Sequence, residues 1–241
     1  MVNDEVIKNI SYDQHEILYN IMQLHNNAEP FECDPTYSIG NFYGDFRLKN
    51  GNNIVIPKPI YKYDVAPQTE DTEKLEIMGR IPLDDNSISS IVIDLPFIIS
   101  PHNAPSVVSD DGSKVRNVIF RRFSSFYPLS ELLETYSHFL KEAYRVLKDK
   151  GICVFKTQNN ISGGKFICTE EYSWVEAQKH GFHVLDRFIL LAQTRIISGK
   201  IKKQEHARNY SSTFWVFKKE IRKKQLSYYS WHSTEINEDT K

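Results

Sequence analysis

Asp94-Leu95-Pro96-Phe97 follows the apolar run Ile91-Val92-Ile93. The four residues would put three groups at one strand end: a carboxylate, a backbone carbonyl that Pro96 keeps out of helical geometry, and an aromatic face. Such a set suits a flat heteroaromatic amine. An exocyclic amino group can donate one hydrogen bond to Asp94 and another to the Leu95 carbonyl, which localises the nitrogen lone pair for attack, while Phe97 stacks on the ring. Taken alone, Asp94 could equally cap a neighbouring helix, and Phe97 could simply pack in the core.

The elements that must hold these groups follow from periodicity. Ile17, Leu18, Ile21, Met22 and Leu24 recur at helical spacing over residues 13–24, with Ser11 or Asp13 as N-cap. A brief strand is expected at 29–34, a second at 60–65, and a third at 88–95. The continuously apolar centre of the third suits a parallel strand covered on both faces. Leu132, Leu133, Tyr136, Phe139, Leu140, Ala143 and Leu147 mark a helix over 129–147 that feeds a strand at 152–155. A helix around 172–180, stopped at Gly181, leads to a strand at 184–192. Residues 213–218 complete an antiparallel terminal hairpin with it. Residues 101–126 read as a long loop. Alternating strands and helices predict an α/β fold with a mostly parallel sheet, whose ligands bind beyond the strand ends at Asp34, Asp64 and Asp94.

The chain around Asp94 resembles the amino-methylating DNA methyltransferases, whose motif is Asp/Asn/Ser-Pro-Pro-Tyr/Phe/Trp. Asp94, Pro96 and Phe97 match it, and Leu95 stands for the first proline. Two further stretches are similar to the family. Pro82-Leu83-Asp84-Asp85-Asn86-Ser87 looks like its lead-in to the motif strand, and Ala143-Tyr144-Arg145-Val146-Leu147-Lys148-Asp149-Lys150-Gly151 looks like its helix-to-strand passage. Together these cover residues 29–218 in the family's order. The resemblance implies a Rossmann-like class I methyltransferase fold and S-adenosyl-L-methionine as cofactor. It assigns Asp94, Leu95, Pro96 and Phe97 to catalysis, and adenine N6 is preferred over cytosine N4. The loop Asp34-Pro35-Thr36-Tyr37-Ser38-Ile39-Gly40 takes the cofactor's place by its order in the chain. Asp34, Thr36, Tyr37 and Gly40 are thereby implied as cofactor contacts, with Asp34 on the ammonium and Asp64 on the ribose hydroxyls. Asp34 also reads as a simple Asp-Pro turn.

Net charge excludes a globally basic or acidic protein: 30 Lys+Arg balance 31 Asp+Glu across 241 residues, for a formal charge of -1. A nucleic-acid surface must then be a local patch. Lys200, Lys202, Lys203 and Arg208, followed by Lys218, Lys219, Arg222, Lys223 and Lys224, form a candidate phosphate-contacting set, and Arg116, Arg121 and Arg122 could reach DNA near an extruded base. Such lysine-rich stretches are also common as plain solvated surface.

Cys33, Cys153 and Cys168 lack metal-site or disulfide spacing, and the histidines lack ligand spacing, so no metal is expected. Cys33, Cys153, Trp174 and Trp215 read as core. No run suits a membrane span and the first residues lack a leader pattern, which suggests a cytoplasmic protein. One domain is expected over residues 1–222, with a polar tail at 223–241, partly disordered. The leading reading is a DNA methyltransferase, working alone, as a homodimer or with a partner subunit. Leu95, Ile77 (near where related methylases carry an acid for adenine) and the sparse glycines leave open a non-catalytic methyltransferase-like module that binds nucleic acid or a partner. An RNA methyltransferase is a further alternative.

Overall fold

A computed structural model describes residues 6–48, 50–99, 107–108, 114–115, 125–126, 128–193, 204–207 and 209–221. In chain order the elements are β1 (Ile10–Ser11), α1 (Gln14–His25), β2 (Cys33–Asp34), β3 (Gly44–Arg47), β4 (Asn53–Ile56), β5 (Tyr61–Asp64), β6 (Glu73–Lys74), β7 (Ile88–Ile93), β8 (Ile98–Ile99), β9 (Val107–Val108), β10 (Lys114–Val115), β11 (Ser125–Phe126), α2 (Leu129–Val146), β12 (Leu147–Thr157), β13 (Asn160–Ser162), β14 (Lys165–Ile167), α3 (Thr169–Lys179), β15 (Phe182–Leu191) and β16 (Ser211–Lys219).

Eight strands form one sheet in the order β1-β15-β16-β12-β7-β2-β5-β6. Within it β16 alone runs against its neighbours, pairing antiparallel with both β12 and β15. The other adjacent pairs are parallel. This is the Rossmann-like α/β arrangement expected, with the antiparallel hairpin near one end. From β2 the chain moves outward through β5 and β6, then returns to lay β7 on the other side of β2. The order therefore reverses between β2 and β7, where Cys33 pairs with Ile91. A crevice opens beyond the strand ends at such a reversal, and ligands bind there in open α/β sheets.

Alternation along the central strands sends side chains into two cores. Ile91, Ile93, Cys153 and Phe155 pack with Leu132, Tyr136, Phe139, Leu140, Ala143 and Val146 of α2. Val92, Ile152, Val154, Phe214 and Val216 pack on the other face with Ile17, Leu18, Ile21 and Met22 of α1 and with Ile54 and Ile56 of β4. Burial on both faces explains the unbroken apolar run of β7. Asp13 caps α1, its side chain accepting from the His15 N–H at 2.9 Å.

The stretch before β7, residues 81–87, and the end of α2 meet in space. Arg145 donates to the carbonyls of Ile81 and Leu83, each at 2.8 Å, and to Asp85 and Glu142. The Asn86 and Ser87 N–H groups return bonds to the carbonyls of Arg145 and Val146. One guanidinium thus binds the lead-in loop to the helix and sets where β7 begins.

Several boundaries differ from the expectation. The first strand is only Cys33–Asp34, because Glu29 and Pro30 satisfy Asn26 through their carbonyls instead of a ladder. The third helix begins at Thr169, whose hydroxyl donates to the Gln158 carbonyl. α2 gives way directly to β12 at Leu147, and the positive φ at this turn falls on Lys150 rather than Gly151. The expected loop at 101–126 contains an antiparallel β9–β10 pair, and β11 at its end pairs with β8. The tail at 223–241 lies outside the described residues. No helix among the described residues is long and apolar enough to cross a membrane.

Candidate active site

Asp94, the first residue after β7, has its backbone N–H bonded to the Thr36 hydroxyl oxygen at 2.8 Å. Thr36 lies two residues beyond β2, so this bond ties together the strand ends flanking the crevice. The Thr36 hydroxyl and N–H in turn donate to Oδ1 of Asp34, at 2.9 and 2.8 Å. Tyr43 donates its hydroxyl to Oδ2 of Asp34 at 2.8 Å.

Asp34 is 2% exposed. Burial pushes its carboxyl up to about 7, against the bonds from Thr36 and Tyr43 that favour the ionised form. Three donors already occupy Asp34, leaving one acceptor position on Oδ2 for anything else. Its visible task is to brace the loop.

The remainder of that loop is equally ordered. The Tyr37 N–H donates to the Tyr63 carbonyl, and the Ser38 N–H donates to Oδ2 of Asp64 at 2.8 Å. Oδ1 of Asp64 accepts from the Ala66 N–H, so both oxygens of this acid hold backbone. Gly40 has φ +73, and a Cβ there would lie 2.4 Å from the Tyr37 hydroxyl oxygen. Tyr37 packs over the glycine and stacks on Tyr43 at 5.6 Å. Its hydroxyl is buried with no hydrogen-bond partner among the described residues. An unmet polar atom inside the expected cofactor loop fits a polar ligand.

On the other side of Asp94, Leu95 is buried and Phe97 half-buried. The Phe97 carbonyl accepts from the Asn160 amide, which fixes the motif to the β13–β14 hairpin. Tyr136 of α2 reaches the Pro96 carbonyl at 3.4 Å. The catalytic candidates and the loop candidates Asp34, Thr36, Tyr37, Gly40 and Asp64 therefore share the carboxyl-end side of the sheet, at and beyond the ends of β2, β5 and β7. Ile77 lies further along the chain with its side chain 78% exposed.

Sequence reasoning missed Lys156. Its ammonium lies 2.9 Å from Oδ2 of Asp94. The signal was present: a single lysine inside the otherwise uncharged run Ile152-Cys153-Val154-Phe155-Lys156-Thr157 has to be paired if it is buried.

The nucleic-acid candidates Arg116, Arg121, Arg122, Lys200, Lys202, Lys203 and Arg208 all lie outside the described residues, as do Arg222, Lys223 and Lys224. Lys219 is corrected. It is buried, and its ammonium donates to Asn86 and to the carbonyls of Tyr144 and Leu147, so it closes the end of α2 instead of facing phosphate. Cys33, Cys153 and Trp215 are in the core as expected, and Trp174 packs against it.

No family model matches the chain, and no curated protein matches its sequence. Among solved structures, the chain is similar to a candidate DNA modification methylase of Thermus thermophilus complexed with S-adenosyl-L-methionine, at 14% identity and TM-score 0.35, over 62% of this chain and 52% of that one. It spans about half the length of that protein. It is also similar to a candidate type 11 methyltransferase of Sulfolobus solfataricus (15% identity, TM-score 0.42, 90% and 98% of the two chains). The [4+2]-cyclase SpnF is a further likeness (12%, TM-score 0.44, 90% and 86%).

Proposed function

We propose that this chain is an S-adenosyl-L-methionine-dependent methyltransferase that modifies an exocyclic amino group in DNA, with adenine N6 as the acceptor. The observation that carries this reading is the placement of Asp94-Leu95-Pro96-Phe97 at the end of β7, beside the reversal of strand order and tied through Thr36 to the loop after β2. Residues 1–222 are taken as one domain, and a second copy or a partner subunit would enter only in recognising the DNA site.

The cofactor, when bound, supplies a methyl group made electrophilic by a sulfonium. Thr36, Tyr37, Gly40 and Asp64 shape its loop, and the Tyr37 hydroxyl has bonding capacity to spare. Asp94 and the Leu95 carbonyl accept the two amine hydrogens, which directs the nitrogen lone pair out of conjugation and toward the methyl carbon. Phe97 stacks on the extruded base. With cofactor bound, the N–C bond would form as the S–CH3 bond breaks and leaves a neutral thioether; the nitrogen would shed one proton, for which Asp94 is the acceptor in reach. No metal is required.

Calorimetric titration with S-adenosylmethionine tests the reading independently of the unknown DNA site. Saturable one-to-one binding is expected, lost in Asp34→Ala, whose loop loses its brace, and retained in Asp94→Ala. Transfer of a labelled methyl group to duplex DNA should be abolished in Asp94→Ala, and competition by structured RNA separates the RNA alternative. The internally satisfied Asp34 favours a second reading, a non-catalytic module of the same fold. Absence of heat with and without DNA, together with no competition by S-adenosylhomocysteine, would establish that reading instead.

A further inference from the structure

Lys156 is 9% exposed within a buried strand, and four separate segments converge on its ammonium. Asp94 at the end of β7 offers Oδ2 at 2.9 Å, and Gln14 at the start of α1 offers Oε1 at 3.4 Å. Phe42, from the loop before β3, and Phe214 of β16 present their rings at 5.0 and 5.4 Å. The two rings also contact each other edge to face. Aromatic faces attract a cation, and a partly buried ion pair holds its geometry far better than an exposed one.

We propose that Lys156 is a positioning residue which also sets amine selectivity, an inference that rests on the methyltransferase reading. By occupying Oδ2, the ammonium fixes the plane of the Asp94 carboxylate and leaves Oδ1 to meet the substrate amine. The Lys156–Asp94 pair is neutral as a whole. A neutral, flat aromatic amine finds a hydrogen-bond acceptor there, whereas an alkylammonium finds the carboxylate charge compensated and a like charge beside it. The site is thereby built for nucleobase amines and against the cationic amines of lysine side chains or polyamines.

The test uses the full-length protein with Lys156→Ala, Lys156→Met and Asp94→Asn. In Lys156→Ala, kcat for methyl transfer should fall about 100-fold, the scale of a displaced reacting group, while affinity for S-adenosylmethionine stays unchanged. Ethylammonium, which returns the missing cation, should restore kcat; ethanol of the same size should not. Lys156→Met keeps the aliphatic volume and should lose kcat equally, and n-butylammonium should compete with substrate in Lys156→Met but not in the wild type; equal competition in both would overturn the selectivity. A second readout needs no turnover: in protein labelled at lysine, the Lys156 ε-methylene protons should lie upfield under the two rings and move downfield in Asp94→Asn. Undiminished kcat in both lysine variants, a loss that ethylammonium fails to restore, or ε-methylene protons at their ordinary position would each overturn the proposal while the wild type still binds cofactor and transfers methyl. A wild type that does neither overturns both readings.

Discussion

Asp34 has its ordinary carboxyl value of 3.8 raised to about 7 by burial, so the folded chain holds its proton in a range where the unfolded chain has already released it. The sign is the reverse of an ion-paired carboxylate. The stabilisation this group brings is complete below about pH 4 and is lost as pH rises through about 7. Urea denaturation of wild type and Asp34→Asn at pH 5 and pH 8 should therefore show a pH dependence in the wild type, on the order of a few kcal/mol, that the variant lacks. Gly40 makes a second prediction at this scale. Alanine there meets both a positive φ and the Tyr37 ring, so Gly40→Ala should cost about 1–3 kcal/mol in the same assay. It should also weaken cofactor binding, because the Tyr37 hydroxyl has to move. The types of Asp34, Asp64 and Asp94 and their places at strand ends were readable from spacing. Most of their partners were not, since Tyr43 reaches Asp34, and Thr36 and Lys156 reach Asp94, from outside their own segments, and only the lone charge of Lys156 in an apolar strand hinted at its pairing.

Helix-to-strand passages were the legible part of the architecture, because an amphipathic stripe followed by an apolar run can hardly be read otherwise. The β3–β4 and β13–β14 hairpins escaped. Their strands are only three or four residues long, and the β4 face that buries Ile54 and Ile56 alternates with exposed Asn53 and Val55, too brief a period to register. Their turns did carry signals in Asn50-Gly51 and Gly163-Gly164, with positive φ at all three glycines. Buried cations join elements here alongside the apolar contacts. Lys219 of β16 holds two carbonyls at the end of α2 together with Asn86, and its ammonium lies over the Tyr144 ring at 4.5 Å. Replacing it by methionine strands three acceptors, so Lys219→Met should destabilise the protein by about 2–4 kcal/mol, measured by thermal or urea unfolding. The same variant should leave the salt dependence of DNA binding unchanged, which separates this clamp from a phosphate contact.

For the whole molecule, a formal charge of -1 means that no long-range field draws DNA in, and any affinity must come from a local cluster. If Lys200, Lys202 and Lys203 supply it, neutralising all three should lower the slope of log affinity against log salt by about 2–3, measured by fluorescence anisotropy on a duplex. Cofactor binding should be untouched. One atom described above reaches further. The Thr36 hydroxyl gives its single hydrogen to Asp34 and takes the Asp94 N–H, so the direction of this relay is set. Ionising Asp34 pulls on that hydrogen, enriches the oxygen in electron density and tightens its grip on Asp94. The loop after β2 and the motif after β7 thus share one hydroxyl, and a change of charge on the first is passed to the backbone of the second through that single oxygen.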